Sequence, residues 1–449
     1  MNYEKDKKYR VLSLFSGAMG LDLGLELTGS FQTVACIEKE NACCNTIRNN
    51  KEKGRLSPNL IVIEADISKL DPKTVLDQHN LAPESIDIIV GGPPCQSFST
   101  AGRRGTTQDP RGTLLWDFLR FIEYIKPKFF LMENVRGLLS AALKHRPIAE
   151  RPDKGGPPLE PEEQSGSVVR LFAEDLSKID GAGYHLDIFE VNSVNYGAPQ
   201  IRERALFFGN KYDLPLDFPN PTHEQPKPHK QGSLFEEPKQ SWQTLGDAIA
   251  SLHEEEPEIL DFSPRKKKFL SLVPPGSNWR SLPEEVQKES MGKAWYAKGG
   301  RSGWWRRLTF DLPSPTLVTL PNHASTSLCH PTETRALSVR EYARIQGFPD
   351  DWEFLGKTTE KYAQIGNAVP IQLGVVAGNV LAEKLDYVAE EKMEAVSSST
   401  IEPRIIYVQS HIRTRKWFKD GKSVVWNNGS SSQDCSYASP KTLKKVKAL

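Results

Sequence analysis

Short apolar runs and longer amphipathic stretches take turns along the first half of the chain. The runs at residues 9–15, 32–37, 60–63, 86–90 and 128–132 are rich in Val, Ile, Leu and Phe. Such runs read as strands buried on both faces of a parallel sheet. Helical spacing fills the gaps and begins near residue 21, after the turn Ser16-Gly17-Ala18-Met19-Gly20. Strand and helix in alternation predict βαβ units, and residues 184–191 and 205–209 add two strand candidates. The expected fold class is α/β: a doubly wound, mostly parallel sheet with a second, smaller and irregular domain.

Breaks in the pattern set the domain limits. Residues 1–209 form the sheet-bearing unit, with 143–168, rich in Pro, Gly, Glu and Lys, as an exposed, mobile insertion. Residues 210–354 form the second domain. Prolines crowd 211–240, helical spacing shows at 242–252, and aromatic, glycine and basic residues mix through 261–330, including Gly303-Trp304-Trp305-Arg306-Arg307. Helical spacing returns at 338–346 and after Pro370, and residues 355–397 rejoin the first unit. Residues 398–449 are a basic C-terminal extension.

Charge and cysteines narrow the setting. The 449 residues carry a net charge of only +1, but residues 403–449 hold ten Lys/Arg against Asp420 and Asp434, a local +8 that leaves the rest at −7. A basic end serves either as a phosphate-seeking patch or as a solubilising tail, and both readings stand. Six cysteines without a C-x-x-C pair argue against a disulfide framework or zinc site and fit a reducing cytosol. His323, Cys329 and His330 match no usual zinc spacing, so no metal is expected. No apolar run approaches the ~20 residues that span a bilayer, and no leader h-region precedes the first strand. A cytoplasmic protein with no membrane partner is expected.

Candidate chemistry gathers where the predicted strands end. Cys95 follows the 86–90 run within Gly91-Gly92-Pro93-Pro94-Cys95-Gln96-Ser97-Phe98-Ser99. Ligands bind past the carboxyl ends of strands in open α/β sheets. The prolines stiffen this loop and the glycines admit close approach, which suits a nucleophile better than a core cysteine. The turn at Phe15, Ser16, Gly17, Ala18, Met19 and Gly20 offers free backbone N–H groups at a helix start. Glu38 closes the next strand, placed for a ribose diol, and Asp66 closes the third, able to accept from an adenine amine. These three strand ends point to an adenosine-containing cofactor without separating NAD from S-adenosylmethionine. Glu133 closes the fifth strand beside Cys95. A thiolate there can add to an electron-poor ring carbon while the acid stabilises the ring nitrogen. Arg202 and Arg204, two residues apart, face one side and suit phosphate or carbonyl oxygens. An ion pair with Glu203 or another acid is the alternative.

Taken in order, these segments resemble the DNA (cytosine-5) methyltransferases of the bacterial restriction-modification type over most of residues 9–380. Phe15–Gly20 is similar to the family's cofactor loop, 91–99 to its Pro-Cys loop, and Arg111-Gly112-Thr113-Leu114 to a segment packed on the cofactor. Glu133-Asn134-Val135 and Gln200-Ile201-Arg202-Glu203-Arg204 resemble the catalytic Glu and Gln-x-Arg-x-Arg motifs. Residues 335–349 resemble the helix under the recognition domain, and Gln364-Ile365-Gly366-Asn367-Ala368-Val369-Pro370 the motif that returns to the cofactor. One departure stands out: Met19 replaces a glycine, and Met19 is not expected to need positive φ. The resemblance implies transfer of methyl from S-adenosylmethionine to C5 of a flipped-out cytosine in a specific double-stranded DNA sequence. Cys95, Glu133, Arg202 and Arg204 are then catalytic, and Pro93, Leu114, Asn367 and Val369 join the cofactor contacts. Residues 210–354 become the target-recognition domain, and 303–307 and 316–327 offer donors to bases and phosphates. A monomer, sharing its site with a cognate restriction endonuclease, is implied. Two rivals share the pattern. A tRNA cytosine-5 methyltransferase is opposed by the sizeable recognition region, and a silent DNA-binding regulator by the intact Cys95, Glu133 and arginines.

Overall fold

The computed structural model describes residues 8–94, 113–225, 239–296, 303–400 and 402–408, with strand segments 416–419, 422–427, 430–431 and 445–448. The alternation runs β1 (Tyr9–Leu14), α1 (Gly20–Glu26), β2 (Phe31–Glu38), α2 (Asn41–Glu52), β3 (Ile61–Glu64), α3 (Pro72–Gln78), β4 (Ile88–Gly91), α4 (Leu114–Ile125), β5 (Phe129–Val135), α5 (Ser167–Ser177), β6 (His185–Asn192), β7 (Gln200–Ile201) and β8 (Glu203–Asn210). Shorter elements follow: β9 (His223–Glu224), β10 (Gln240–Ser241), α6 (Leu245–Ile249), α7 (Pro264–Leu270), α8 (Glu284–Met291) and β11 (Ser314–Pro315). Helices α9 (Val339–Gln346), α10 (Thr358–Asn367) and α11 (Ile371–Glu390) precede β12 (Arg404–Tyr407), β13 (Lys416–Lys419), β14 (Lys422–Asn427), β15 (Ser430–Ser431) and β16 (Lys445–Ala448).

One sheet of nine strands organises the molecule, in the order β16-β12-β6-β8-β5-β4-β1-β2-β3. It is the expected doubly wound, mostly parallel sheet: β8 runs antiparallel between β5 and β6, and β16 antiparallel on β12. Successive strand residues serve opposite faces, and both faces are buried. Leu12, Leu14 and Phe130 pack with Phe118, Phe121 and Phe172 of α4 and α5. Val11, Val90 and Leu131 pack on the other side with Leu25 of α1 and Leu373 and Leu381 of α11. Helices α1 and α11 meet backbone to backbone. A Cβ on Gly24 would lie 2.6 Å from Gly374 Cα, so only glycine fits there.

Two expectations change here. The stretch Thr358–Glu390 is long and apolar enough to cross a membrane by length and composition, contrary to the sequence reading. Its most apolar window is 72% buried inside the fold, as a core helix would be. The start of the extension is also more than a tail. In β12, parallel to β6, Ile405 and Ile406 are buried, as is Val408 beyond it. Arg404 is not free to seek phosphate, because its guanidinium grips the fully buried Asp187 at 2.7 and 2.9 Å.

The 143–168 segment holds three single-turn 3-10 helices, and Arg146 ties its ends together through Glu163 and the carbonyls of Pro157 and Pro158. The 210–354 region has its own apolar cluster, built on Phe269, Leu270, Trp279, Trp305 and Cys329. Within 303–307, Trp305 is core. Arg307 is 5% exposed and donates to the carbonyls of Leu270, Val273, His330 and Glu333. Neither is free to offer donors to bases or phosphates, contrary to expectation, because both are spent holding residues 210–354 together.

Candidate active site

Register places four strand ends on one rung. Leu14 pairs with Ile37 and with Gly91, and Gly91 pairs with Met132. The next residues, Phe15, Glu38, Gly92 and Glu133, therefore share the carboxyl edge of the sheet, where such folds bind ligands.

The 15–20 turn is tight. Phe15 (φ +55), Gly17 (φ +53) and Met19 (φ +64) are all left-handed, so the expectation for Met19 is overturned. Met19 N donates to Ser16 O at 2.8 Å, and Met19 O accepts from Leu23 N at 2.9 Å, closing the turn and starting α1. The Met19 side chain is fully buried with Ala18, Cys36, Ile47 and Tyr342. Burying it contributes about 1.5–3 kcal/mol, enough to offset the roughly 1–2 kcal/mol of a left-handed residue. Ser16 Oγ donates to Ser13 O at 3.2 Å, and the space beside Gly17 is open.

Glu38 braces this turn. Its carboxylate accepts from Gly17 N at 2.8 Å, Lys39 N at 2.8 Å and Glu40 N at 2.9 Å. About one of its four lone-pair sites is left for another donor. Asp66 lies past the rung, where β3 presents Glu64 beside Glu38. Asp66 Oδ1 accepts from Ser68 N and Oγ, bonds that hold its pKa below the ordinary carboxylate range. Across the turn, a Cβ on Gly20 would come 2.5 Å from Val369 O, so the 364–370 segment lies against the loop, with Asn367 exposed and Val369 buried. Leu114 opens α4, and beside it Thr113 Oγ1 is buried without a hydrogen-bond partner. Arg111 and Gly112 lie outside the described residues.

Cys95 also lies outside them, but the approach to it does not. Asn134 Nδ2 donates to Pro93 O at 2.9 Å, tying the loop to β5. A Cβ on Gly92 would stand 3.3 Å from Glu133 Oε2, so the chain passes directly over this acid. Glu133 Oε1 stands 2.5 Å from Arg204 Nε, an ion pair in which neither atom makes an aligned hydrogen bond. Arg204 Nη1 donates to Glu203 O at 2.7 Å.

The two arginines divide. Arg202, 2% exposed, donates to Leu317 O at 3.3 Å, Gly366 O at 2.9 Å and Asn367 O at 3.5 Å. Burial, with the nearby charge of Arg204, pushes its pKa well down, and Glu133 opposes the shift. The same junction holds Gln200, whose Nε2 donates to Gln346 Oε1 at 2.6 Å and whose Oε1 accepts from Leu317 N at 2.9 Å. Gln346 in turn donates to Ala368 O. Sequence reasoning missed Asn134, Gln200 and Gln346 as positioning residues. The only available signal was an amide in a segment that was otherwise bound for the interior.

The C-5 cytosine-specific DNA methylase family model matches residues 9–383. The chain is 36% identical to the Type II methyltransferase M.Sau96I of Staphylococcus aureus, over 86% of this chain and 78% of that one. It is 37% identical to M.PspPI of a Psychrobacter species (88% and 84%) and 37% identical to M.Eco47II of Escherichia coli (84% and 80%). A crystal structure of a protein named as a DNA modification methyltransferase, encoded within an E. coli prophage, aligns with a TM-score of 0.54 at 24% identity. It covers 84% of this chain and 100% of that one, and so matches the fold. With the strand-end acids and the Glu133–Arg204 pair in place, the match across nearly the whole sheet-bearing chain is decisive: the protein belongs to the C-5 cytosine-specific DNA methylase family and is a DNA cytosine-5 methyltransferase.

Proposed function

We propose that the chain methylates one cytosine within a specific duplex sequence, as the modification half of a Type II restriction-modification system, through covalent catalysis by Cys95. The observation that carries this is the buried Glu133–Arg204 pair beneath Gly92 and Pro93. It sets an acid, a cation and the nucleophile's loop at one point on the carboxyl edge. The four described cysteines, Cys36, Cys43, Cys44 and Cys329, are poor rivals. Burial raises all their pKa values, Cys44 to about 12 and Cys329 to about 11.

Cytosine C5 is a weak nucleophile. Addition of the Cys95 thiolate to C6 moves electron density to C5 and N3. Glu133, oriented by Arg204, hydrogen-bonds N3 and stabilises the charge arriving there. C5 forms its new bond to the methyl group, the C5 proton leaves, and expulsion of Cys95 restores the ring. A stacked base cannot reach this edge, so the cytosine must flip out. Arg202 touches only backbone carbonyls and serves as a positioning residue.

S-adenosylmethionine suits the other half of the edge. The open space at Gly17, the unused lone pair of Glu38, Asp66 Oδ2 and the unpartnered Thr113 Oγ1 are groups a nucleoside can use. When bound, it supplies an electrophilic methyl group. Glu38 would hold the ribose, Asp66 the adenine, and the 15–20 turn and Asn367–Val369 the remainder.

Bisulfite sequencing of DNA from cells expressing the chain should show one methylated cytosine per recognition sequence. Cys95→Ala should abolish the mark while duplex binding persists. A 5-fluorocytosine duplex should trap an adduct that maps to Cys95. An adduct at another cysteine, or a fully active Cys95→Ala variant, refutes the mechanism.

A further inference from the structure

The sheet-bearing unit and residues 210–354 meet at one polar junction. Strand β11 lies parallel to β7, pairing Ser314 with Gln200 and Pro315 with Ile201. Just past it, Thr316 Oγ1 donates to Ile201 O at 2.7 Å, and a Cβ on Gly366 would come 2.8 Å from Val318 O. Residues 314–318 are therefore held between β7 and the 364–370 segment. Gln200 and Gln346 are fully buried there. Gln200 Oε1 accepts from Leu317 N at 2.9 Å, its Nε2 donates to Gln346 Oε1 at 2.6 Å, and Gln346 Nε2 donates to Ala368 O. The next carbonyl, Val369 O, is the atom that a Cβ on Gly20 would strike. An unbroken line of hydrogen bonds thus runs from the backbone of Leu317 to the segment lying on the 15–20 turn. Arg202 spans the same gap, donating to Leu317 O and Gly366 O.

This line has no slack. Both glutamines are shielded from solvent, so water cannot take up a shift of Leu317. Such a shift either leaves a buried donor unpaired, which is costly, or moves the amides and Ala368 with them. We propose that Gln200 and Gln346 are positioning residues that couple duplex recognition to cofactor binding. A cognate duplex that holds residues 316–327 also holds 366–369 where the cofactor needs them. The inference rests on the function proposed above and deepens it. Such coupling is reciprocal, so the cofactor must tighten cognate duplex by the same factor. A non-cognate duplex, gripped through its phosphates alone, leaves residues 316–327 unheld and transmits nothing. Couplings between sites usually run to about 5–150-fold, and a single line of hydrogen bonds belongs at the lower end, about 5–20-fold.

The test uses S-adenosylhomocysteine, which lacks the transferable methyl group and cannot turn over. It is titrated by calorimetry into the full chain with the duplex that bisulfite sequencing identifies, and again with a duplex of scrambled site. The intact protein should bind it about 5–20-fold tighter with the cognate duplex. Gln346→Met and Gln200→Met keep the side-chain length and remove the amide, and each should bring that ratio below about 2. The double variant should lose no more than either single one, because one broken link opens the line. Gln346→Glu should regain the ratio as pH falls, when its carboxyl takes up a proton that can donate to Ala368 O. Asn50→Leu removes an equally buried amide, one that ties α2 to Glu353 O at 2.8 Å, and should lower Tm while keeping the ratio. A ratio near 1 in the intact protein overturns the proposal, as does an unchanged ratio in Gln346→Met. Equal loss of the ratio in Asn50→Leu also overturns it, by reducing the effect to general destabilisation. If the intact protein binds no S-adenosylhomocysteine and methylates no duplex, the functional reading falls and the coupling with it. If it binds and methylates normally while the ratio ignores both glutamines, only the coupling falls.

Discussion

Replacing Arg404 by methionine should destabilise the catalytic domain although it lies far from the chemistry. Asp187 is fully buried, and four groups reach it: Arg404 Nε and Nη2 at 2.7 and 2.9 Å, Leu216 N at 2.7 Å and His185 Nε2 at 3.0 Å. Breaking a buried ion pair by removing one partner costs about 3–5 kcal/mol. Arg404 keeps 30% of its side chain exposed and Asp187 keeps two other partners, so we expect the lower side, about 2–3 kcal/mol. The pH dependence follows from the direction of the shift. Burial alone would raise the Asp187 pKa, but the bonds from His185 and Arg404 outweigh it and hold the group below its ordinary value. A carboxylate depressed in the folded state contributes stability above its unfolded pKa and loses it as pH falls. The gap between intact protein and variant should therefore be full above about pH 5 and narrow as pH falls below about 4. Urea unfolding at about pH 7 and about pH 3.5 measures both quantities, and Asp187→Asn added to Arg404→Met should recover part of the loss. A difference below about 0.5 kcal/mol at pH 7, or one independent of pH, would show that the pair is not the anchor its geometry indicates.

Four further outcomes are expected. Glu133→Gln should lower turnover by about 10²–10⁴-fold with DNA affinity retained, the range for a positioned acid; a loss under tenfold in single-turnover assays speaks against its role at N3. Glu38→Ala should weaken S-adenosylmethionine binding by the ~1–3 kcal/mol of a charged hydrogen bond, and an unchanged calorimetric Kd refutes that contact. Asp22 is buried, and its pKa is raised from 3.8 to about 7, chiefly by desolvation. The folded state thus holds a proton the unfolded chain releases, so stability should decline as pH rises from about 4 to 7, by at most about 4 kcal/mol. Asp22→Asn should flatten that slope, and a variant with the same slope as the intact protein dismisses the assignment. Exchanging residues 210–330 for those of a related enzyme should change which cytosine is marked, whereas an active chimera that keeps the original site places specificity elsewhere.

What was legible in the sequence was the edge of the sheet. Glu38 and Glu133 end apolar runs, and a parallel sheet in register must bring such ends together. Long-range pairings were not legible. Met19 looked unable to adopt positive φ because the core that compensates it includes Tyr342, far along the chain. Arg404 looked like one more tail cation because its partner Asp187 is 217 positions away. Arg202 and Arg204 have the same spacing logic and residue type, yet one faces carbonyls and the other an acid. Trp305 and Arg307 had the composition of a DNA contact and the environment of a core. Side-chain identity fixes what a group can bind, but the partner is chosen by topology.

The bare contact of Gly24 with Gly374 has a consequence for how the protein is made. Helix α1 leaves the ribosome early, while the α11 surface it needs emerges some 350 residues later, after the whole of residues 210–354. Contacts of such sequence separation form late and slowly, and the waiting apolar face of α1 is exposed meanwhile. A nascent chain should therefore be unable to bind the methyl donor until α11 has been synthesised, so truncated products cannot act as partial methylases. Joining the present termini and opening the chain between the two regions would shorten that wait, and should speed refolding without altering the finished site.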